Sequence, residues 1–220
     1  MGTITRSFAN NITTSGVLLP ASLTNNSIAN VTAYNAAIAT GNMVLISSQT
    51  ASNSASISFT TGINSTYKEY QFWFIDIHPR TGNELFTFNL STDAGSNYNV
   101  TKTSTAFLAY HNEADTDTSL SYTGSVYDLG QSTGFQPLVT SPLGGGADES
   151  FSGSMSLFNP SSTTYVKHFI STANHYRGDI VYTYNDFVAG YGNTTSACNA
   201  IQFKMTVGNM DGTILMYGIK

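Results

Sequence analysis

The chain has 220 residues with a net charge of −5, and only 10% of its residues are charged, whereas 40% are hydrophobic and 12% aromatic. Eight lysines and arginines in total give no basic surface that could hold phosphates, so the composition excludes nucleic acid as an expected partner. The sequence contains no run of about 18 or more apolar residues, which excludes a transmembrane helix and gives no indication of a membrane partner.

Residues 1–42 hold isolated apolar side chains along a neutral, polar thread. Such a thread cannot close a core of its own, because ordering each residue costs roughly 1 to 2 kcal/mol against little burial. Laid across another subunit, its apolar side chains would fill shallow pockets and its polar ones would pair with exposed backbone. We therefore interpret residues 1–42 as an assembly arm, with a plain flexible leader as the alternative. The apolar residues of the arm are Phe8, Ile12, Leu18, Leu19, Leu23, Ile28 and Val31.

From about Met43 onward, apolar and polar residues alternate with a period of two, which is typical of β-strands. Thr, Tyr and Phe suit a pleated sheet, whereas the abundant Ser, Thr and Asn compete with a helix backbone for hydrogen bonds. About ten short strands separated by turn-forming clusters predict an all-β, jelly-roll-like antiparallel β-sandwich over residues 43–220, behind the extended N-terminal arm. The predicted strands are MVLISSQ, ASISFTT, EYQFWFIDIH, LFTFNLST, TSTAFLAYH, SLSYTGSV, SFSGSMSLF, TYVKHFIST, IVYTYNDFVAGY, IQFKMTV and GTILMYGI.

The segment EYQFWFIDIH is apolar at both alternating sets of positions, which predicts a strand covered on both faces, in mid-sheet or at a subunit contact. Its two sets are Tyr70, Phe72 and Phe74 on one side and Trp73, Ile75 and Ile77 on the other. By contrast, one of the two alternating sets of positions is polar in the segments LFTFNLST and IQFKMTV. This pattern predicts strands with one face exposed to solvent. In IQFKMTV, Phe203 and Val207 are expected to point inward and Lys204 outward.

Residues with catalytic or ligand chemistry are few, and the four histidines lie in unrelated contexts. The single cysteine, Cys198, excludes an internal disulfide and a cysteine-based zinc cluster, and its surroundings predict a buried structural thiol rather than a nucleophile. Glu113, Asp115 and Asp117 come together in one predicted loop, and calcium prefers several carboxylate oxygens. This loop is the candidate metal site, with a solvated acidic loop as the alternative. The sequence indicates no catalytic residues, no enzyme and no cofactor.

The segment NHYRGDIVYTYNDFVAGYGN concentrates tyrosines among Asn, Asp and Arg. This mixture can stack on sugar faces while it bonds their hydroxyls, and tyrosine and arginine are also enriched at protein interfaces. Strand alternation places about half of these side chains in the interior. Three roles therefore stay open for Tyr176, Tyr182, Tyr184 and Tyr191, namely core packing, a subunit interface and glycan contact.

Four segments resemble a family of virion structural proteins encoded by tailed bacteriophages, especially marine ones. They are NSTYKEYQFWFIDIHPRTGNELFTFNLSTDAGSNYNVTKTST, YDLGQSTGFQPL, LFNPSSTTYVKHFISTANHY and DGTILMYGIK. The resemblance covers most of residues 43–220. It implies a component of the phage particle, assembled in the cytoplasm of the bacterial host and located in the virion, and it supplies no catalytic residues.

Together, the low charge, the expected arm and the resemblance predict a decoration or cement protein on the head exterior that stabilises the shell. The expected partners are the major capsid protein or tail and fibre components, and the expected state is a homo-oligomer, a trimer. The alternative from a different class is a receptor-binding or fibre module of the tail or head that attaches to host surface glycans. An enzyme that cleaves glycans with paired carboxylates is the least favoured hypothesis, because acids are scarce in the predicted strands.

Overall fold

A computed structural model describes residues 42–124 and 126–220, so the arm residues from Phe8 to Val31 lie outside the described residues. The described part is all-β and contains twelve strands. None of its residues belongs to a helix that is long and apolar enough to cross a membrane. The strands are β1 (Met43–Ser54), β2 (Ile57–Phe59), β3 (Glu69–Pro79), β4 (Phe86–Ser91), β5 (Lys102–Asn112), β6 (Thr118–Tyr122), β7 (Gln136–Pro137), β8 (Phe151–Phe158), β9 (Lys167–Arg177), β10 (Tyr182–Gly192), β11 (Ala200–Met205) and β12 (Met210–Ile219).

Eight of these strands form a jelly roll, which confirms the predicted fold class. The first four strands pair with later strands in nested order, β1 with β12, β2 with β11, β3 with β8, and β4 with β7, and every pair is antiparallel. These nested pairs amount to one long antiparallel hairpin. When this hairpin folds over on itself, it forms the two facing sheets of a jelly roll. The two sheets therefore contain the strand orders β1-β12-β3-β8 and β2-β11-β4-β7.

Two extra hairpins widen the first sheet to eight strands. β5 and β6 lie in sequence between β4 and β7, β9 and β10 lie between β8 and β11, and all four continue the sheet in the order β8-β9-β10-β5-β6. The second sheet keeps four strands. We call the side of the eight-stranded sheet that faces away from the four-stranded sheet the outer face. The end where β1 begins and β12 finishes is called the arm end, and the opposite end is called the loop end.

The core between the sheets is built around the Phe203 ring. Phe203 is fully buried, and its ring lies 5.3 Å from those of Phe72 and Phe74 and 5.9 Å from that of Phe86. The predicted inward direction of Phe203 is therefore confirmed. Val207 was expected on the same face, but this prediction is wrong, because β11 ends at Met205 and the Val207 side chain lies exposed in the following turn.

Two other predictions of strand facing need correction. In β3 the alternation breaks at a bulge where Asp76 has a positive φ of 50°, so Ile77 turns into the core while Trp73 and Ile75 stay exposed on the outer face. The strand is central in the sheet, yet no described segment covers its second side. In β4, by contrast, all six residues are buried, so the predicted wet face is absent. Its polar side chains bond to neighbouring connections, as Asn89 does to the Tyr98 carbonyl.

The inner side of the two added hairpins contacts the connection of residues 126–150. A connection outside a sheet ladder must still pair its backbone groups where it is buried. The Ser104 hydroxyl accepts from the Leu129 amide at 2.8 Å and donates to the Gln136 side chain at 2.5 Å. The amide of Thr140 donates to the Asp186 carboxylate at 2.7 Å. This packing explains why polar residues line the interior of this half of the molecule.

Candidate functional site

A continuous row of side chains crosses the outer face from one edge of the sheet to the other. Strand register places the members of the row directly opposite one another on all eight strands. In order across the sheet the row contains Ser48, Leu215, Trp73, Ser154, Thr172, Phe187, Phe107 and Tyr122. Small hydroxyl residues therefore occupy the middle of the row, and large apolar residues occupy both sides.

The large residues of the outer face form two aromatic pairs. The Phe107 and Phe187 rings are stacked, with centroids 4.7 Å apart and planes 7° from parallel. On the other side the Trp73 ring lies 5.5 Å from that of Tyr217. Trp73 keeps 40% and Phe107 42% of its surface exposed. These rings support one another laterally, but their upper surfaces remain open to solvent.

The outer face is rich in exposed apolar residues and poor in charge. Thirteen large apolar side chains are well exposed among the described residues, and eight of them lie on this face: Met43, Leu45, Trp73, Ile75, Phe107, Leu120, Tyr122 and Ile170. Between Glu69 at the arm end and the carboxylates of Asp76 and Asp211 at the loop end, the described strands place no other Asp, Glu, Lys or Arg on it. These residues form two exposed apolar clusters, one on each side of the hydroxyl residues in the middle of the face, and exposed apolar clusters mark interaction sites.

Two depressions lie on the outer face, one on each side of the Phe107 and Phe187 stack. The first has a volume of about 420 Å³ and is lined by residues that include Ile170, Ala189 and Tyr191. The second, of about 410 Å³, is lined by Ala109, Tyr110, His111, Asn174, Thr183 and Asn185. The stacked pair stands between them, so the face offers two successive shallow pockets along the strand direction.

The charged residues of the added strands lie on the opposite, inner side. Lys102 of β5 is fully buried, and its ammonium group donates to the Asn89 side-chain oxygen at 2.5 Å and to the Val100 carbonyl at 2.8 Å. Burial lowers the pKa of Lys102 to about 7. Its surroundings contain amide and carbonyl dipoles rather than an ion-paired carboxylate, so nothing offsets the full cost of burying the charge.

Lys167 of β9 is buried in the same way near the arm end. Its ammonium group donates to the carbonyls of Ser162 at 2.7 Å, Tyr165 at 2.6 Å and Thr194 at 3.2 Å. Burial lowers the pKa of Lys167, and it raises the pKa of the nearby Cys198 thiol to about 11. The prediction of a buried structural thiol is confirmed, since Cys198 is 1% exposed. Lys167 thus ties two connections together, and burial favours the protonated thiol of Cys198.

A buried acid and base pair lies between β9 and β10. His175 Nδ1 donates to Asp186 Oδ2 at 2.7 Å, and the side chains of both residues are fully buried. The Thr140 amide and hydroxyl donate to the other carboxylate oxygen, and Tyr184 stacks on the imidazole with centroids 4.8 Å apart. His175 Nε2 has no hydrogen-bond partner among the described residues. The arrangement orients the imidazole, but within the described ranges no hydroxyl or thiol bonds to its Nε2.

A cleft of about 470 Å³ opens at the loop end. Glycines of three loops line it together with Asn83, Asp148, Glu149, Tyr176 and Asp179. Glu149 is held in place, because its carboxylate accepts from the amides of Gly146 and Gly178. The segment PLGGGADES thus has defined hydrogen-bond partners here.

The three candidate metal ligands do not converge. Glu113 approaches the Tyr176 hydroxyl, Asp115 bonds to His111 Nε2 at 3.0 Å, and Asp117 accepts from the Tyr182 hydroxyl at 2.7 Å. Within residues 42–124 and 126–220, no group of three or more His, Cys, Asp or Glu side chains could hold a metal ion. Each acid of this loop therefore has its own local partner.

The four tyrosines occupy three different environments. Tyr184 is buried against His175, as core packing requires, and Tyr182 lies beside it with its hydroxyl bonded to Asp117. Tyr191 lies on the outer face and lines the first depression. Tyr176 lines the loop-end cleft, where burial and the neighbouring carboxylates raise the pKa of its hydroxyl. Of these four residues, only Tyr176 lines the loop-end cleft.

Sequence reasoning missed the buried Lys102, Lys167 and the pair of His175 with Asp186. A signal for them was present in the period of two, because Lys167 and His175 share one alternating set with Phe169 in β9. The neighbouring set, which contains His168 and Ile170, is also partly apolar, so alternation alone does not show which of the two sets is buried.

The described fold thus belongs to the class of widened jelly-roll sandwiches, and its most prominent surface is an uncharged sheet face. Comparison with protein-family models, with curated proteins and with solved structures gave no match.

Proposed function

We propose that this chain is a structural protein of a bacteriophage particle, and that it decorates and stabilises the exterior of the head. The observation that carries the proposal is the outer face, a broad sheet surface with exposed aromatic residues and charge only at its ends. Such a surface favours burial against protein over contact with water. The resemblance of four segments to virion structural proteins supports the phage setting.

The size of the outer face suits a stable protein contact. Eight strands at about 4.8 Å spacing and strands of about ten residues at about 3.3 Å each give an area on the order of 1,000 Å². A standard interface buries about 800 Å² on each partner. The face can therefore hold the chain on a neighbouring virion protein, such as the major capsid protein or another copy in a homo-oligomer, for which a trimer remains our proposal.

The placement of the chain ends supports a role as an attached layer. The described chain starts at Asn42, next to Lys220, whose amide donates to the Asn42 carbonyl at 2.8 Å. The loop-end cleft lies at the far side of strands that are about 35 Å long. An attachment at the arm end would therefore leave the loop end free to point outward.

Quantitative gel analysis of purified virions tests the proposal. A decoration protein is expected at hundreds of copies per particle, in a fixed ratio to the major capsid protein. Immunogold labelling should place it on the head. A band equivalent to about a dozen copies, with label on the tail or on fibres, would favour the second candidate below instead. Absence of the chain from virions would refute both.

The second candidate is a receptor-binding or fibre module that attaches to host surface glycans. The loop-end cleft favours it, because the Tyr176 ring, the Asn83 amide and the Asp148 carboxylate line one opening. Aromatic faces stack on sugar rings, while amide and carboxylate groups bond to sugar hydroxyls. We propose no catalytic role for this cleft, because Glu149 is saturated by backbone amides and Asp179 is bound to Arg177.

Binding of the purified chain to host surface polysaccharide tests this candidate. Tyr176→Ala is expected to abolish retention on immobilised polysaccharide, and Tyr191→Ala, outside the cleft, is the matched control. No reducing sugar should be released during incubation. Release that disappears in Glu113→Gln would show that the chain is a glycan-cleaving enzyme and would overturn both candidates.

A further inference from the structure

We propose that the outer face of the eight-stranded sheet is the docking surface for residues 1–41 of a second copy of this chain. The inference deepens the proposed function and rests on it for the biological setting. It commits to one occupant, the assembly arm of a neighbour, and three features of the molecule support that choice: the charge of both partners, the spacing of the pockets, and the length of chain before Asn42.

Charge is the first feature. Residues 1–41 contain one charged residue, Arg6, and the outer face carries charge only at its two ends. Burying a charged group without a partner is costly, so a neutral face requires a neutral occupant. The isolated apolar residues of the arm can lose water against the exposed rings, while its Asn, Ser and Thr side chains meet the hydroxyls of Ser154 and Thr172.

Pocket spacing is the second feature. The first depression lies around Ile170 and Ala189, and the second lies around Ala109 and Asn185. On β5 the first depression is lined by residues 103–105 and the second by residues 109–111, so their midpoints lie about six residues, or about 20 Å, apart. An extended chain covers this distance in about six residues. Among the apolar residues of the arm, Ile12 and Leu18 lie six residues apart, and Leu18 and Leu23, like Leu23 and Ile28, lie five apart, so pairs within the arm match the interval between the two depressions.

Chain length is the third feature and favours a neighbour over the same copy. β1 is an edge strand of this sheet, and β10 lies five strand positions away, or about 24 Å. Eight residues would cover that distance, whereas 41 extended residues reach about 135 Å. The apolar residues Ile12, Leu18 and Leu23 lie about 20 to 30 residues before β1, far beyond the reach needed for their own sheet. The spare length suits a span to the next copy.

Disulfide trapping between two purified full-length variants tests the inference. One variant carries Leu18→Cys in the arm, with Ile12→Cys and Leu23→Cys as further arm positions, and the other carries Ile170→Cys in the first depression. The native Cys198 does not interfere, because it is buried and has a pKa of about 11. Mixing the two variants under mild oxidation should give a crosslinked dimer on a non-reducing gel. Val207→Cys, which is 67% exposed in a turn away from the outer face, is the control partner and should crosslink only at background level.

Each other outcome overturns the proposal in its own way. Crosslinking of Ile170→Cys to itself would identify the outer face of a second copy as the occupant. A linked peptide formed only within a chain that carries both Leu18→Cys and Ile170→Cys would identify the chain's own arm. Equal yields of crosslinked dimer with Ile170→Cys and with the Val207→Cys control would show that the arm does not dock specifically on the outer face. Because this experiment uses purified protein, its failure is distinguishable from the absence of the chain from virions.

Discussion

On the outer face, the Phe107 ring stacks on the Phe187 ring with centroids 4.7 Å apart. The two residues face each other directly across β5 and β10, so the sheet register itself produces the stack. Their neighbours in the same row are Tyr122 and Thr172. Because the upper edge of the stack is exposed to solvent, the stack contributes little to folding stability. Its position between the two depressions makes it suited to contact a partner.

Phe107→Ser should separate assembly from stability. We expect a loss of only about 0.5 to 1.5 kcal/mol in the free energy of unfolding, because the ring is 42% exposed. Incorporation into virions should nevertheless fall strongly, since the contact surface loses its central ring. Urea unfolding and quantitative virion gels measure the two effects. Thr105→Ser on the same strand is the control, and unchanged incorporation of Phe107→Ser would count against the outer face as the assembly surface.

Phe203→Ala should destabilise the core by about 3 to 5 kcal/mol, because it leaves a large cavity among several phenylalanine rings. Lys204→Ala on the same strand should cost under about 1 kcal/mol, since it removes only the contact of the ammonium group with the Phe135 ring at 4.3 Å. Chemical denaturation of both variants gives the comparison. Similar losses at the two positions would mean that the facing of β11 is wrong.

Lys102→Met should change how stability depends on pH. The pKa of Lys102 is about 7 in the folded chain and about 10.4 in an unfolded one, so between these values the unfolded chain binds more protons and stability rises with pH. From about pH 7 to about pH 8.5 the gain is about 1 to 2 kcal/mol. Cys198, whose pKa is raised to about 11, opposes the gain only above about pH 8.5.

Urea midpoints at these two pH values measure the effect. The rise in stability between these pH values should be smaller in Lys102→Met than in the unmodified chain. The part that remains comes from Lys167, whose pKa is also lowered by burial. Lys68→Met removes an exposed lysine and should keep the gain of the unmodified chain. An undiminished rise in Lys102→Met would show that the buried ammonium group is not its source.

Asp186→Asn should cost about 3 to 5 kcal/mol, because it breaks a fully buried pair and turns an amide donor toward the donors of His175 and Thr140. Asp179→Asn is the matched control on the surface, where the pair with Arg177 is half-exposed and worth at most about 1 kcal/mol. Thermal unfolding ranks the two variants. A small loss for Asp186→Asn would indicate that the interior readily repacks around this pair.

The sequence predicted eleven strands that the structure contains, because periodicity of two is strong wherever one face is buried. β7 was missed, since Gln136 and Pro137 form only two ladder positions and proline is a poor signal for a strand. The wet face expected for β4 failed for another reason. Its polar residues are covered by connections that are distant in sequence; for example, the Asn89 side chain donates to the carbonyl of Thr133. The local sequence pattern contains no sign of these contacts.

The candidate surface was predictable only in part. The apolar second set of β3 indicated a face in need of a partner, but the bulge at Asp76 that removes Ile77 from this set had no sequence signal. The row from Trp73 to Phe107 depends on the register of five strands, which pair residues far apart in the chain. The burial of Lys102 follows from the same register, since alternation alone does not tell which side of a widened sheet is inside.

The nested pairing of the jelly roll also constrains how the chain acquires its structure. Among the four nested pairs, β4 and β7 are the closest in sequence, and β1 and β12 are the most distant, with Met43 opposite Ile219. Closing a long loop costs entropy before any contact offsets it, so distant strands pair slowly. Pairing should therefore advance outward from the innermost hairpin, and the amides of β1 should be the last to gain protection from hydrogen exchange during refolding. The strand that joins the arm to the domain is thus the final one to be secured.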